Sequence, residues 1–228
     1  MPRRCVLHVT SEAERLASLS RLPGTETALI PNGVEIPPEN AERTWRPDGR
    51  LRLLFLGRLD AIKGVENLLK AVAMLDKQVS IAIYGAGDKD YVVRLRALAE
   101  CLGLGARVHF GGVVQGDEKA SVFWNADVCV VPSFSESFGM VVAEALAHGV
   151  PVIASRETPW AEIESRGCGL WVENSPGSLA ESIDMLRRRD LDVMGQKGRR
   201  WMQEQFDWGL VGNQMLRLYS NLTNSSVQ

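Results

Sequence analysis

The chain has 228 residues, 45% of them hydrophobic and 24% charged, enough apolar material for a sizeable core in one large domain or a domain with an appendage. A formal net charge of −2 and a pI near 6.0 exclude a general electrostatic pull toward nucleic acid or an anionic membrane, so any phosphate binding must be local. Cys5, Cys101, Cys129 and Cys168 lack the spacing of a metal or redox site and fit a reduced cytoplasm, and no signal peptide or transmembrane segment is expected.

In chain order, the segment from Met1 to about Arg50 offers a strand at Val6 to Val9, a polar helix from Glu12 to Leu22 and the loop Ile30-Pro31-Asn32-Gly33-Val34. From Leu51 onward, short apolar runs alternate with helical patterns, the signature of βαβ units and a parallel sheet. The strands are Leu51 to Leu56, Ser80 to Tyr84, Arg107 to Phe110, Asp127 to Val131, Pro151 to Ala154 and a short one near Leu170 to Val172. Among the helices between them, Val65 to Leu75 and Tyr91 to Leu102 are the clearest. Right-handed crossovers then predict an α/β fold, a doubly wound sheet with helices on both faces. From Asp192 to Leu222 the chain reads as mostly helical, with Trp201, Phe206, Trp208, Leu216 and Tyr219 as a core-facing apolar side.

Chemistry in an open α/β sheet sits just past the strand ends. After the first main strand, Gly57-Arg58-Leu59-Asp60-Ala61-Ile62-Lys63-Gly64 places a guanidinium and an ammonium in one strand-to-helix loop, which could neutralise a diphosphate or be ordinary surface charge. Tyr84-Gly85-Ala86-Gly87-Asp88 is half of a dinucleotide fingerprint, but it follows the second strand and has Asp90 where a third glycine belongs, so a dehydrogenase reading is weak. Asp88-Lys89-Asp90 also spells a possible Mg²⁺ or Mn²⁺ triplet; acidic residues complementing a helix start account for it better, and no metal site is expected. His109, in a strand, and His148, at a helix C-terminus where an imidazolium suits the dipole, read as structural.

The richest stretch runs from Ser133 to Ser155. A buried strand ends at Pro132, and the apolar residues Val141, Val142, Ala145 and Leu146 then recur at helical spacing from Gly139. The first amides of that helix, from Gly139, Met140 and Val141, are available to an anion. Glu144 lies about 7.5 Å along the axis and Glu136 precedes the helix, so the two carboxylates can reach hydroxyls on opposite sides of a bound phosphate. Singly they read as a solvated helix residue and a loop carboxylate; the surrounding pattern favours binding.

The spacing Glu136-x7-Glu144, within Pro132-Ser133-x-x-Glu136-Ser137-Phe138-Gly139 and followed by Ala145, Ala147, Gly149 and Pro151-Val152-Ile153-Ala154-Ser155, resembles that of the GT-B retaining glycosyltransferases of family 4, the glycosyl transferases group 1. The resemblance implies the C-terminal, donor-binding Rossmann-like half of a GT-B fold, and the Gly57-Arg58-Leu59-x-x-x-Lys63-Gly64 motif matches the family at every fixed position. By that similarity Arg58 and Lys63 bind the donor's phosphates and stabilise the leaving group, Glu136 holds the sugar hydroxyls and Glu144 the ribose. Gly57, Gly85, Gly87, Val113, Ser137, Phe138, Gly139, Met140 and Val141 complete the donor site, with the Gly111 to Val114 loop at the nucleobase.

The implied function is retaining, metal-independent transfer of a hexosyl group from a nucleotide-diphospho-sugar, itself a substrate, to a glycan, lipid or other acceptor; no separate cofactor is implied. Polysaccharide or lipopolysaccharide synthesis, in the cytoplasm or peripherally at the inner membrane, is the setting that follows. Residues 1–34 resemble the end of an acceptor domain and its linker, 35–205 the nucleotide-sugar domain and 206–228 a C-terminal helix and tail, so most of an acceptor domain is expected to be missing. Two alternatives stay open: a binding module without activity of its own, and a sugar-nucleotide epimerase of the same architecture. One departure stands out, because Glu157-Thr158-Pro159-Trp160-Ala161-Glu162 replaces a family Gly-Gly-x-x-Glu turn; Trp160 could stack on a sugar or pack beneath the loop.

Overall fold

A computed structural model of the chain describes residues 5–38, 43, 45–46 and 49–224. A small parallel sheet pairs β1 (Val6–Val9) with β2 (Glu26–Leu29), joined by α1 (Glu12–Arg21). Ser11 caps α1 by accepting from the Glu14 amide at 3.1 Å. The strand β2 was not expected, since its four residues, Glu-Thr-Ala-Leu, carry neither an apolar run nor alternation.

The main sheet consists of β3 (Leu51–Leu56), β4 (Val79–Tyr84), β5 (Val108–Gly112), β6 (Val128–Val131), β7 (Val152–Ser155) and β8 (Gly169–Val172). All pairs are parallel and the order is β5-β4-β3-β6-β7-β8, the doubly wound order that reverses between β3 and β6. The connecting helices are α2 (Val65–Ala73), α3 (Lys89–Cys101), α4 (Gly116–Trp124), α5 (Met140–Ala147), α6 (Glu162–Ser165) and, after β8, α7 (Pro176–Arg187), α8 (Leu191–Gln205) and α9 (Trp208–Asn224).

Side chains alternate across each strand, so one strand feeds two cores. Leu53 and Phe55 of β3 join Leu68, Leu69, Ile83, Leu95 and Ile183 on one face, whereas Leu54 joins Phe123, Val142, Leu146, Trp160 and Met202 on the other. Every residue of β6 is buried, as a central strand covered on both faces requires. Cys129 is one of them, and burial pushes its thiol pKa up, as suits a small core residue. Just before β6, the fully buried Asp127 is satisfied by the Arg52 guanidinium at 2.9 Å and by the amides of Arg52 and Arg46 at 2.8 and 2.9 Å.

The C-terminal helices correct one expectation. Trp201 is buried and Phe206 packs against the core, but Trp208, Leu216 and Tyr219 are 59%, 65% and 56% exposed. On α9 the inward stripe is Val211, Met215, Leu218 and Leu222, at helical spacing, with Val211 buried and the others half-buried. The Trp208 ring lies against Gly33, where an added Cβ would come within 2.4 Å of it.

Candidate functional site

At the point where the strand order reverses, the C-terminal ends of β3 and β6 open a crevice of about 650 Å³. Gly57 and Arg58 follow β3, Gly85 follows β4, and Val113 precedes α4; Glu136 to Val141 form the opposite wall with Glu144. Thus Arg58, Lys63, Glu136, Gly57, Gly85, Val113, Ser137, Phe138, Gly139, Met140, Val141 and Glu144, all expected from sequence, line one cavity. Gly87 does not line it. Gly87 instead bridges to Leu59, whose carbonyl would lie 1.9 Å from an added Cβ, so it brings two loops together behind the wall.

Gly85 shows why the floor is backbone. Its φ of +138° is unfavourable for other residues, and a Cβ there would meet the Gly57 carbonyl at 1.8 Å. Gly139, at φ +78°, turns the chain into α5 without any side-chain cap. Val142 closes the first turn by donating to the Gly139 carbonyl at 2.9 Å, and the amides of Gly139, Met140 and Val141 have no acceptor among the described residues.

The opposite end of α5 is cationic: Arg199 donates to the Ala147 carbonyl at 2.7 Å and Arg43 to that of His148 at 3.0 Å. Such charges complement the helix dipole, whose other end faces the crevice. His148 also sits at this end. Stacked on Phe123 with centroids 4.6 Å apart, it donates from Nδ1 to the Glu144 carbonyl at 2.7 Å, and burial first, then nearby cations, hold its pKa below the usual histidine value. His109 is exposed on the edge strand β5, edge-on to Tyr84.

Both carboxylates are ion-paired. Glu136 Oε1 receives Lys63 Nζ at 2.6 Å and the buried Ser133 hydroxyl at 2.8 Å; Glu144 Oε1 receives Lys119 Nζ at 2.7 Å. The second oxygen of each carboxylate has no partner among the described residues. Arg58 is different, with its side chain 75% exposed and, among the described residues, its one ion pair, to Asp60, at 3.9 Å. Two neutralised pairs, one available guanidinium and a row of free amides make a site suited to an anion flanked by hydroxyls.

Sequence reasoning missed Lys119 and Ser133. Ser133 stood in the quoted motif without a role, and Lys119 sits in α4, whose Gly-Asp-Glu-Lys start shows little apolar periodicity. The Asp-x-Asp triplet is accounted for: Asp88 Oδ1 caps α3, accepting from the amides of Asp90 and Tyr91 at 3.1 Å each.

Trp160 packs beneath the loop and is not placed to stack on a sugar. It is 3% exposed, donates from Nε1 to the Phe138 carbonyl and meets Phe138 and Trp201 edge-on at 5.2 and 5.6 Å. On its far side lies a second cavity of about 640 Å³, walled by Trp201, Phe206, Leu210, Pro159 and the start of α1. Ser11 spans the two regions by donating to the Ser137 carbonyl at 3.1 Å.

Residues 38–201 match the sequence pattern of the family described as Glycosyl transferases group 1. A D-inositol 3-phosphate glycosyltransferase of Corynebacterium glutamicum is 32% identical over 96% of this chain and 55% of its own. Among solved structures, sucrose-phosphate synthase from Thermosynechococcus elongatus aligns with a TM-score of 0.85 and 31% identity over 96% of this chain and 59% of its own. The Anabaena protein HepE, solved in complex with UDP and glucose, aligns with a TM-score of 0.82 over 94% of this chain and 62% of its own, and at 23% identity shows the fold alone. The chain spans little more than half the length of these proteins.

Proposed function

The chain belongs to the glycosyl transferases group 1 family, and from that premise we propose that it is the donor half of a retaining, metal-independent hexosyltransferase that binds a nucleotide-diphospho-sugar. Residues 35–205 carry the donor in this reading. The observation that carries it is the crevice itself: unpartnered amides at the start of α5 share one cavity with Arg58, Lys63, Glu136 and Glu144. The diphosphate would lie against those amides and Arg58, Glu144 would take the ribose hydroxyls, and Lys63 and Glu136 would exchange their mutual contact for phosphate and sugar.

A departing nucleoside diphosphate gains negative charge as the glycosidic bond breaks. Fixed donors aimed at that charge lower the barrier, as the front-face transfer with retention in this reading requires. The bound UDP in a structural neighbour supports a nucleotide ligand of this type. About half the length of the relatives lies outside the matched part, and we place recognition of a glycan or lipid-linked acceptor there, in a cytoplasmic setting. Among the described residues no helix is long and apolar enough to cross a membrane.

A thermal-shift panel of UDP-, GDP- and ADP-sugars tests the reading. The matching donor at 100 times its dissociation constant should add about 2.7 kcal/mol of stability. A chain whose melting temperature is unmoved by millimolar concentrations of all three does not bind sugar nucleotides in this crevice.

A further inference from the structure

Glu144 is held from across the crevice. Lys119 Nζ lies 2.7 Å from Glu144 Oε1, with side-chain exposures of 34% and 23%. The lysine projects from α4, the helix that follows β5 and the loop opened by Val113 and Val114, and lines the same cavity as Val113, Val114 and Glu144. The pair therefore fastens the wall that carries this loop to α5, the helix whose amides face the crevice. It also restricts a long, rotamer-rich carboxylate before any ligand arrives, removing an ordering cost from binding.

The chemistry at the two ends of the pair is unequal. A carboxylate has two oxygens and about four lone-pair sites, of which the ammonium occupies one, leaving Oε2 and part of Oε1 for two neighbouring hydroxyls. Glu136 repeats the pattern with Lys63, but there Ser133 also binds Oε1. Glu144 has no such hydroxyl partner among the described residues, so Lys119 is the side chain that sets its position.

We propose that Lys119 is a positioning residue for nucleotide recognition: it holds Glu144 in the orientation that accepts the ribose diol and keeps the base-side loop docked on α5. This rests on the reading of Glu144 as the ribose ligand. Lys119 then contributes to selection of ribonucleotides over deoxyribonucleotides, whereas Arg58 and the α5 amides serve the diphosphate.

The test is calorimetric titration of the wild-type chain, Lys119→Met, Lys119→Arg, Glu144→Gln and the Lys119→Met/Glu144→Gln pair. The ligands are whichever of UDP, GDP and ADP the wild type binds tightest, its 2′-deoxy counterpart, and pyrophosphate. Lys119→Met is expected to weaken the ribonucleotide about tenfold and the 2′-deoxy form much less, with pyrophosphate affinity unchanged. Lys119→Arg should restore most of the loss, and the double variant should bind no more weakly than Glu144→Gln, because the two residues act through one contact. Lys119→Met binding ribo- and deoxyribonucleotide with wild-type affinities would overturn the proposal, as would an equal loss for all three ligands, which would mark Lys119 as a general cation. If the wild type binds none of the nucleotides, the sugar-nucleotide reading itself fails; if it binds one and prefers ribose while Lys119→Met does the same, only the role of Lys119 fails.

Discussion

Two cavities of nearly equal volume, about 650 and 640 Å³, lie on either side of the Phe138 segment, and they are built differently. The crevice at the strand reversal has a backbone floor and holds paired charges, whereas the neighbouring one sets an aromatic wall of Trp160, Trp201 and Phe206 beside Glu12, Glu162, Glu204 and Arg217, a mainly acidic set. Size therefore does not single out the cavity proposed here for the anion. Directional groups do: free amides and an exposed guanidinium face the first, and edge-on aromatic rings support the second. The second cavity backs the first, because Trp160 holds the Phe138 carbonyl immediately before the α5 turn.

That division can be broken most forcefully at Trp160. Truncation by Trp160→Ala removes a fully packed aromatic and leaves the Phe138 carbonyl without its donor, so unfolding in urea should show a loss of about 3–5 kcal/mol. A loss below about 1 kcal/mol would mean that the aromatic cluster does not support the loop.

A smaller effect belongs to the far end of α5. The folded state holds the His148 pKa below its ordinary value of roughly 6.5, so the neutral ring stabilises the fold above that pH. Between the ordinary and the folded value the unfolded chain binds more protons, and stability falls as pH drops through that window. His148→Asn, which keeps a donor for the Glu144 carbonyl, should flatten this part of the stability curve. An unchanged slope would assign the acid sensitivity elsewhere.

The main sheet was legible because most of the strands from β3 to β8 are short apolar runs bounded by Gly, Pro and polar turns, and because βαβ alternation leaves few topologies. The crevice walls were legible for a related reason: each cluster of site residues follows the end of a strand. What escaped was chemistry between distant segments. Lys63 and Glu136 are separated by 73 residues, and Lys119 and Glu144 by 25, and no local pattern records that each carboxylate is already paired. The resemblance to a family assigned Lys63 and Glu136 separate ligands, whereas in the fold they first bind each other. The apolar residues of α9 misled in another way: aromatic spacing on a helix does not say which face turns inward, and for Trp160, where two readings stood open, only the fold shows that it packs beneath the loop.

The same pairing decides which substitution isolates ligand binding. Removing Lys63 also strands Glu136, and removing Glu144 strands Lys119, but Arg58 is exposed and only loosely paired, so its loss should leave stability within about 0.5 kcal/mol of wild type. The most direct measurement is thus a calorimetric titration of wild type and Arg58→Ala with the sugar nucleotide that the thermal-shift panel identifies. The account predicts an affinity lower by about tenfold or more in Arg58→Ala, the loss of a charge-assisted contact to phosphate, with an unaltered melting temperature. Equal affinity in the two proteins would contradict it, because the diphosphate would then lie somewhere other than the crevice between β3 and α5.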